Sequence, residues 1–356
     1  MPRLPLTRLM ARRIALIKPS ALGDIVHSLP VLTAVRRRFP RAHITWVVNR
    51  SYEALLRGHP DLDETLPFDR GASRRGVWQA GEGWFQFLGE LRRRRFDLVI
   101  DLQGLLRTGL MTAATGARRR LGLSSAREGA GWFYTDVVRD ADHVGSHAVD
   151  RYWRVAEALG VGEGPKEFRL PSWPEARDWA RRELANWPRP WLMVGVGARW
   201  PTKRWPAEHF AALARRALGR FGGTVVLVGG RDEVPLSRTV AALLPGRTLD
   251  LTGRTTLPRL AAVLAAADVM VANDTGPLHL AVALGRRVVA PYTCTQVRLT
   301  GPYGAEADAV ESRVWCQGSC RKTCDRLECM AELTPERLWP VLERILYQWH
   351  SARRTA

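Results

Sequence analysis

Ala267-Asp268-Val269-Met270-Val271-Ala272-Asn273-Asp274-Thr275-Gly276-Pro277-Leu278-His279-Leu280-Ala281 reads as a strand, a tight turn and the start of a helix. Val269 to Ala272 is an apolar, strand-like run that ends on polar Asn273 and Asp274. Thr275-Gly276-Pro277 then opens a segment whose apolar residues Leu278, Ala281, Val282 and Leu284 recur at helical spacing. In an open α/β sheet such a turn lies at the carboxyl edge of the strands. Backbone N–H groups and the positive end of the helix dipole there favour an anion, typically a phosphate. His279 falls in the first helical turn, beside the same mouth. From this stretch alone, an ordinary connection with Asp274 as the helix N-cap reads equally well.

The same pattern recurs in both directions along the chain. Ile14 to Ile17 is a buried-type strand followed by Lys18-Pro19-Ser20-Ala21-Leu22-Gly23-Asp24 and an apolar helix; Gly23 lets the chain approach a ligand closely. Asp24, at the junction, is either a capping carboxylate worth about 1 kcal/mol or a general base aimed into a cleft. Further strands are expected at His43 to Val48 and Phe96 to Ile100, while Arg70 to Gly83, rich in Gly and Arg, reads as a mobile loop. The composition shifts at Gly160-Val161-Gly162-Glu163-Gly164-Pro165, and Leu170-Pro171-Ser172-Trp173-Pro174 closes a linker. A second series follows at Trp191 to Gly197, Thr224 to Gly230, Thr248 to Leu251, the stretch quoted above, and Arg287 to Pro291. Apolar runs alternating with helical ones predict an α/β protein of two doubly wound Rossmann-type domains, residues 1–170 and 171–356, facing an interdomain cleft.

Composition agrees with two domains, since 356 residues exceed what one core usually supports. The net charge of +19 calls for an anionic partner: nucleic acid, acidic lipid or phosphorylated substrate. The arginines lie in short clusters, Arg36 to Arg38, Arg92 to Arg95 and Arg118 to Arg120, and not in a tail. With no aromatic-basic recognition module, nucleic acid is not the expected partner; solvated helix faces account for most single arginines. The first ten residues have no sustained apolar centre of the kind a signal peptide needs, and no run reaches the roughly 18 apolar residues of a membrane span. A cytoplasmic protein is expected, with Met10 as an alternative start.

Taken together, the motifs resemble a known family. Lys18 to Pro30, Asp97 to Gly104, Lys203-Arg204-Trp205-Pro206, Gly253 to Pro258 and Asn273 to Leu280 match, in order, motifs of the bacterial ADP-heptose:lipopolysaccharide heptosyltransferases, glycosyltransferase family 9, over Arg13 to about Ile345. The resemblance implies a GT-B-like fold with an N-terminal acceptor-binding domain and a C-terminal nucleotide-sugar-binding domain; the last helix, about 334–348, is expected to pack back on the N-terminal domain. It also implies inverting transfer of a heptose from an ADP-heptose donor to a lipopolysaccharide inner-core acceptor, with no cofactor and no catalytic metal. Asp24 matches the family's catalytic carboxylate. Lys203 and the turn Asp274-Thr275-Gly276 match positions that hold the diphosphate, with His279 beside them, and Glu233 aligns with an acidic residue on the ribose. Ser20, Gly23, Gln103, Arg107 and Thr295 are candidates for the acceptor or the loops around it. The chemistry fits these residue types. A hydroxyl is a weak nucleophile that needs a base, and a leaving diphosphate can be stabilised by an ammonium and a helix N-terminus. A monomer on the cytoplasmic face of the inner membrane, touching anionic lipid, is the expected setting. Another nucleotide-sugar and another glycolipid or glycan is the alternative, and a non-catalytic binder of anionic lipid is a third reading.

Two features depart from or extend the pattern. Gln296, Val297 and Leu299 stand where many members carry Asp, Pro and Arg, which leaves the identity of the sugar open. Cys316, Cys320, Cys324 and Cys329 are closely spaced, but not as paired C-x2-C knuckles. A structural zinc and reduced structural thiols both remain open; neither reading makes the cluster catalytic.

Overall fold

The computed structural model describes residues 4–69, 77–140, 145–244 and 246–354. The chain divides into two compact units, Met1–Ser172 and Trp173–Ala356, two residues beyond the expected boundary. In the first unit, β1 (Arg13–Ile17), β2 (His43–Asn49), β3 (Glu64–Phe68), β4 (Leu98–Asp101), β5 (Arg119–Leu123) and β6 (Asp136–Val138) form a parallel sheet of order β3-β2-β1-β4-β5-β6. The second unit repeats the arrangement with β7 (Trp191–Gly195), β8 (Thr224–Leu227), β9 (Thr248–Asp250), β10 (Val269–Ala272), β11 (Val288–Tyr292) and β12 (Ala309–Glu311), ordered β12-β11-β10-β7-β8-β9. These are two doubly wound sheets of the same winding.

Strands covered on both faces must be apolar along their length. Ile14 to Ile17 and Val269 to Ala272 are accordingly buried throughout. Strand order reverses between β1 and β4 in the first unit and between β7 and β10 in the second. Ligand sites in such sheets lie outside the carboxyl ends of the strands at these switch points. Asp24 follows β1 in the first turn of the next helix and Gln103 lies in the loop after β4; the segments after β7 and β10 carry Lys203 and Asp274.

One expectation needs correction. Residues 77–83 are not a loop but the start of the helix Val77–Arg93. Its downstream residues Trp84, Phe87, Leu88 and Leu91 pack on the core around Phe68, Val99 and Met111, and that apolar stripe extends the helix through Gly81 and Gly83. The rest of the expected loop, 70–76, lies outside the described residues. The last helix, Pro335–Arg354, belongs to the second unit: Leu338, Trp339, Leu342, Ile345 and Leu346 are buried in the core formed by β7, β8 and the helix Ala207–Phe221. Arg344 and Trp349 fasten it further through Asp308 and Asp268. Among the described residues no helix is long and apolar enough to cross a membrane.

Candidate active site

In the second unit the quoted stretch folds as a strand, a turn and the helix Gly276–Ala283. Asn273 fixes the turn. Its side-chain amide donates to the Val196 and Gly197 carbonyls at 3.0 and 3.2 Å, and its oxygen accepts the Trp205 amide at 3.0 Å. One buried side chain thus joins the ends of β10 and β7 to the Lys203-Arg204-Trp205 segment.

Asp274, next along, is not the helix N-cap; Thr275 occupies that position, without a side-chain cap. The Asp274 carboxylate is buried and gathers donors from three segments. Lys203 Nζ lies 2.5 Å and Thr295 Oγ1 2.7 Å from Oδ2, and His279 Nε2 lies 3.2 Å from Oδ1. A carboxylate can only accept, so His279 carries its proton on Nε2. The Tyr292 hydroxyl, bonded to the Thr300 carbonyl at 2.8 Å, stands 3.4 Å from Oδ1. Burial would raise the pKa of Asp274, but the hydrogen bond from His279 and the Lys203 ammonium outweigh it and hold it well below the usual carboxylate range. Burial, reinforced by that negative charge, raises Tyr292 well above its ordinary value and keeps it neutral.

With its lone pairs occupied, Asp274 orients Lys203 and does not itself meet an anion. Lys203 also lies 4.9 Å from the centroid of the Trp200 ring, and it has further N–H donors to offer. The amides of Gly276 and Leu278, in the first helical turn, have no acceptor within the helix, so the turn keeps the donors an anion needs. Glu233, after β8, accepts the Gly230 amide at 2.8 Å. Its carboxyl group fills the space above Gly197 and Gly229, where an added Cβ would fall 1.8 and 2.3 Å from its oxygens, and burial raises its pKa. Lys203, Glu233, Thr275, Gly276 and Thr295 therefore share the carboxyl edge of one sheet. Thr295, a candidate for the acceptor or the loops around it, joins the Asp274 cluster.

The cysteine segment braces this edge from behind. Thr202 Oγ1 donates to the Arg321 carbonyl at 2.6 Å, Gln317 Nε2 to the Thr295 carbonyl at 3.1 Å, and the Cys320 amide to the Cys294 carbonyl at 2.7 Å. All five cysteines are free thiols, and no three metal-ligating side chains come together among the described residues.

In the first unit Asp24 lies in the first turn of the helix Leu22–Arg38, where Oδ2 accepts the Ala21 amide at 3.1 Å. It is a capping carboxylate, yet its side chain remains 42% exposed, enough to accept a further hydrogen bond. Behind it runs a buried chain of donors. Lys18 Nζ donates to the Leu102 carbonyl at 3.0 Å and to Tyr152 Oη at 2.8 Å, and the Tyr152 hydroxyl donates to Asp24 Oδ1 at 3.2 Å. Burial opposes the Lys18 charge, but Tyr152 and Asp24 outweigh it and raise the ammonium above its ordinary value. Ser20 is half-buried and Gly23 lies within the first turn of the helix. The Gln103 amide is held by Asp101 at 2.8 Å, and its side-chain oxygen is buried without a hydrogen-bond partner among the described residues. Arg107 is exposed on the helix Leu106–Ala114, 5.8 Å from the centroid of Phe68.

Sequence reasoning passed over Tyr152, Tyr292 and Asn273. Only Asn273 left a signal, a polar residue directly after an apolar strand; the tyrosines sit on unremarkable helix and strand positions and act through folding.

Two doubly wound parallel units, one with a carboxylate presented at its switch point and the other with a lysine and a helix N-terminus at its own, define an enzyme of GT-B-like build. The model of glycosyltransferase family 9 (heptosyltransferase) matches residues 84–330, and Lipopolysaccharide heptosyltransferase 1 of Pseudomonas aeruginosa is 32% identical, covering 94% of this chain and 98% of that protein. The chain belongs to glycosyltransferase family 9 and is a glycosyltransferase. A crystal structure of a family 9 glycosyl transferase from Veillonella parvula superposes with a TM-score of 0.85 at 25% identity, covering 98% and 99% of the two chains. Escherichia coli heptosyltransferase WaaC, solved with ADP, shares the fold with a TM-score of 0.74 at 24% identity, covering 94% and 99%.

Proposed function

We propose that the protein transfers heptose from an ADP-heptose donor to an inner-core acceptor of lipopolysaccharide, with inversion and without a catalytic metal. The observation that carries this reading is the pairing of Lys203 with buried Asp274 beside the open helix N-terminus of Gly276. It fixes an ammonium that keeps further N–H donors beside the positive end of a helix, and the two together can stabilise a leaving diphosphate, the task a divalent ion performs elsewhere. Glu233, lodged against Gly197 and Gly229, is placed for a ribose hydroxyl, and Asp24 takes the proton of the attacking acceptor hydroxyl. Direct displacement by a hydroxyl activated in this way inverts the anomeric centre. The similarity to a lipopolysaccharide heptosyltransferase across 94% of the chain supports heptose and the lipopolysaccharide core. Such an acceptor is anchored in a membrane, so the protein works at the cytoplasmic face of the inner membrane, against anionic lipid, and we take it to be a monomer.

The test is nucleotide release from a panel of ADP-, UDP- and GDP-activated sugars with a lipopolysaccharide core acceptor, with and without EDTA, and with the product anomer read by NMR. ADP-heptose alone should turn over, with inversion, and EDTA should leave the rate unchanged. Preference for another donor, a retained anomer or a strict need for added Mg²⁺ each overturns the corresponding part of the reading.

A further inference from the structure

An open pocket of about 980 Å³ lies in the first unit, at the amino ends of β4 and β5, away from Asp24. β1, β4 and β5 are four or five residues long and parallel, so about 13–17 Å of sheet separates the pocket from the edge that carries Asp24. It is therefore no part of the site described above.

Its lining is strongly basic. Arg92, Arg93, Arg95, Arg118 and Arg119 face Asp97 as the one acidic residue, and Asp97 is already engaged by the Arg12 and Arg13 amides at 2.8 and 2.9 Å. Arg119 pairs with Asp136 and Arg93 with Glu90. Arg92, Arg95 and Arg118 have no carboxylate partner among the described residues. The Arg92 guanidinium lies over Gly116, where an added Cβ would fall 1.2 Å from Nη1. Charge at a helix C-terminus explains Arg92 and Arg93, which end the helix Val77–Arg93. It does not explain Arg95 and Arg118, which lie in no helix.

The pocket is apolar as well as basic. Leu9 and Phe96 are buried in its wall, while Leu4 and Met10 are 51% and 82% exposed. A free phosphate would use the arginines and leave these side chains in water; a phosphate that carries acyl chains would use both. We propose that this pocket holds the phosphate head group of an anionic phospholipid, with Leu4 and Met10 entering the acyl boundary. The proposal rests on the membrane setting given above and adds a defined site to it.

The experiment is co-sedimentation of the full chain with vesicles of phosphatidylcholine alone or mixed with phosphatidylglycerol. It compares the wild type, Arg92→Glu combined with Arg118→Glu, and Met10→Asp, with calorimetric titration of inorganic pyrophosphate alongside. The wild type should bind only the mixed vesicles. Reversing two charges should weaken that binding roughly 30-fold or more, at about fivefold per charge lost. Met10→Asp, at an exposed position that does not endanger folding, should weaken vesicle binding and leave pyrophosphate binding unchanged. Equal vesicle binding by all three proteins overturns the pocket and leaves the membrane reading standing; no vesicle binding by the wild type overturns both. A pyrophosphate site additional to the Lys203 group and lost in the double variant, without vesicle binding, makes this a site for a free phosphate and overturns the lipid.

Discussion

Asp24 caps a helix and presents a carboxylate, and these two roles differ in what removal costs. Asparagine at this position keeps an oxygen for the Ala21 amide at nearly the same volume, so the cap survives while the proton acceptor is lost. Asp24→Asn should fold normally and bind ADP as the wild type does, since the Lys203 and Asp274 group belongs to the other unit. Turnover should fall by roughly 10²-fold or more, the scale of a missing general base. Near-normal turnover with ADP-heptose would leave Asp24 a cap and nothing more. Asp24 was legible because a loop between a buried strand and an apolar helix singles out its first carboxylate. Tyr152, which holds that carboxylate, stands 128 residues further on, and no local pattern points from one to the other.

At the scale of the element, the turn after β10 is organised by a buried ion pair. A carboxylate whose folded pKa is depressed contributes stability that is present above its unfolded pKa and lost as the pH falls through the folded one. For Asp274 the unfolded value is near 3.8 and the folded value lies well below it, so the contribution is complete at neutral pH and fades only below about pH 4. Asp274→Asn leaves the Lys203 charge with side-chain exposure of 17% and no anion, which should cost roughly 3 kcal/mol at pH 7. Chemical denaturation from pH 7 to pH 3 should show the gap between wild type and variant narrowing in acid; a constant gap would mean that packing, and not charge, holds the turn. The turn itself was readable from its residues, but the direction of the Asp274 carboxylate was not. The sequence shows an aspartate at a helix start, whereas Thr295 and Lys203 converge on it only through the order of β7, β10 and β11. Elements also escaped where the signal was short or mixed: β6 and β12 have three residues each, and β5 begins with two arginines.

For the whole molecule, the question is what a net charge of +19 is for. Not every arginine contributes to it: Arg94 pairs with Glu64 and Glu90, and Arg36 with Asp63, so these arginines tie helices to strands and add nothing to an outer field. The remainder acts at long range, where each basic residue near an anionic surface is worth on the order of 1 kcal/mol and the attraction decays within a Debye length. On the proposed reading the donor differs in kind, because the Lys203 that would hold it is largely buried and set against Asp274, a contact that salt screens weakly. Raising NaCl from about 0.05 to 0.5 M should therefore raise the KM for a membrane-borne acceptor several-fold more than the KM for ADP-heptose. A water-soluble fragment of the same acceptor should lose most of that sensitivity, because it is not delivered by the membrane. Initial rates over a grid of both substrates at each salt concentration separate the two constants. Equal responses of the two KM values would make the remaining arginines solvated helix faces with no part in recruiting the acceptor.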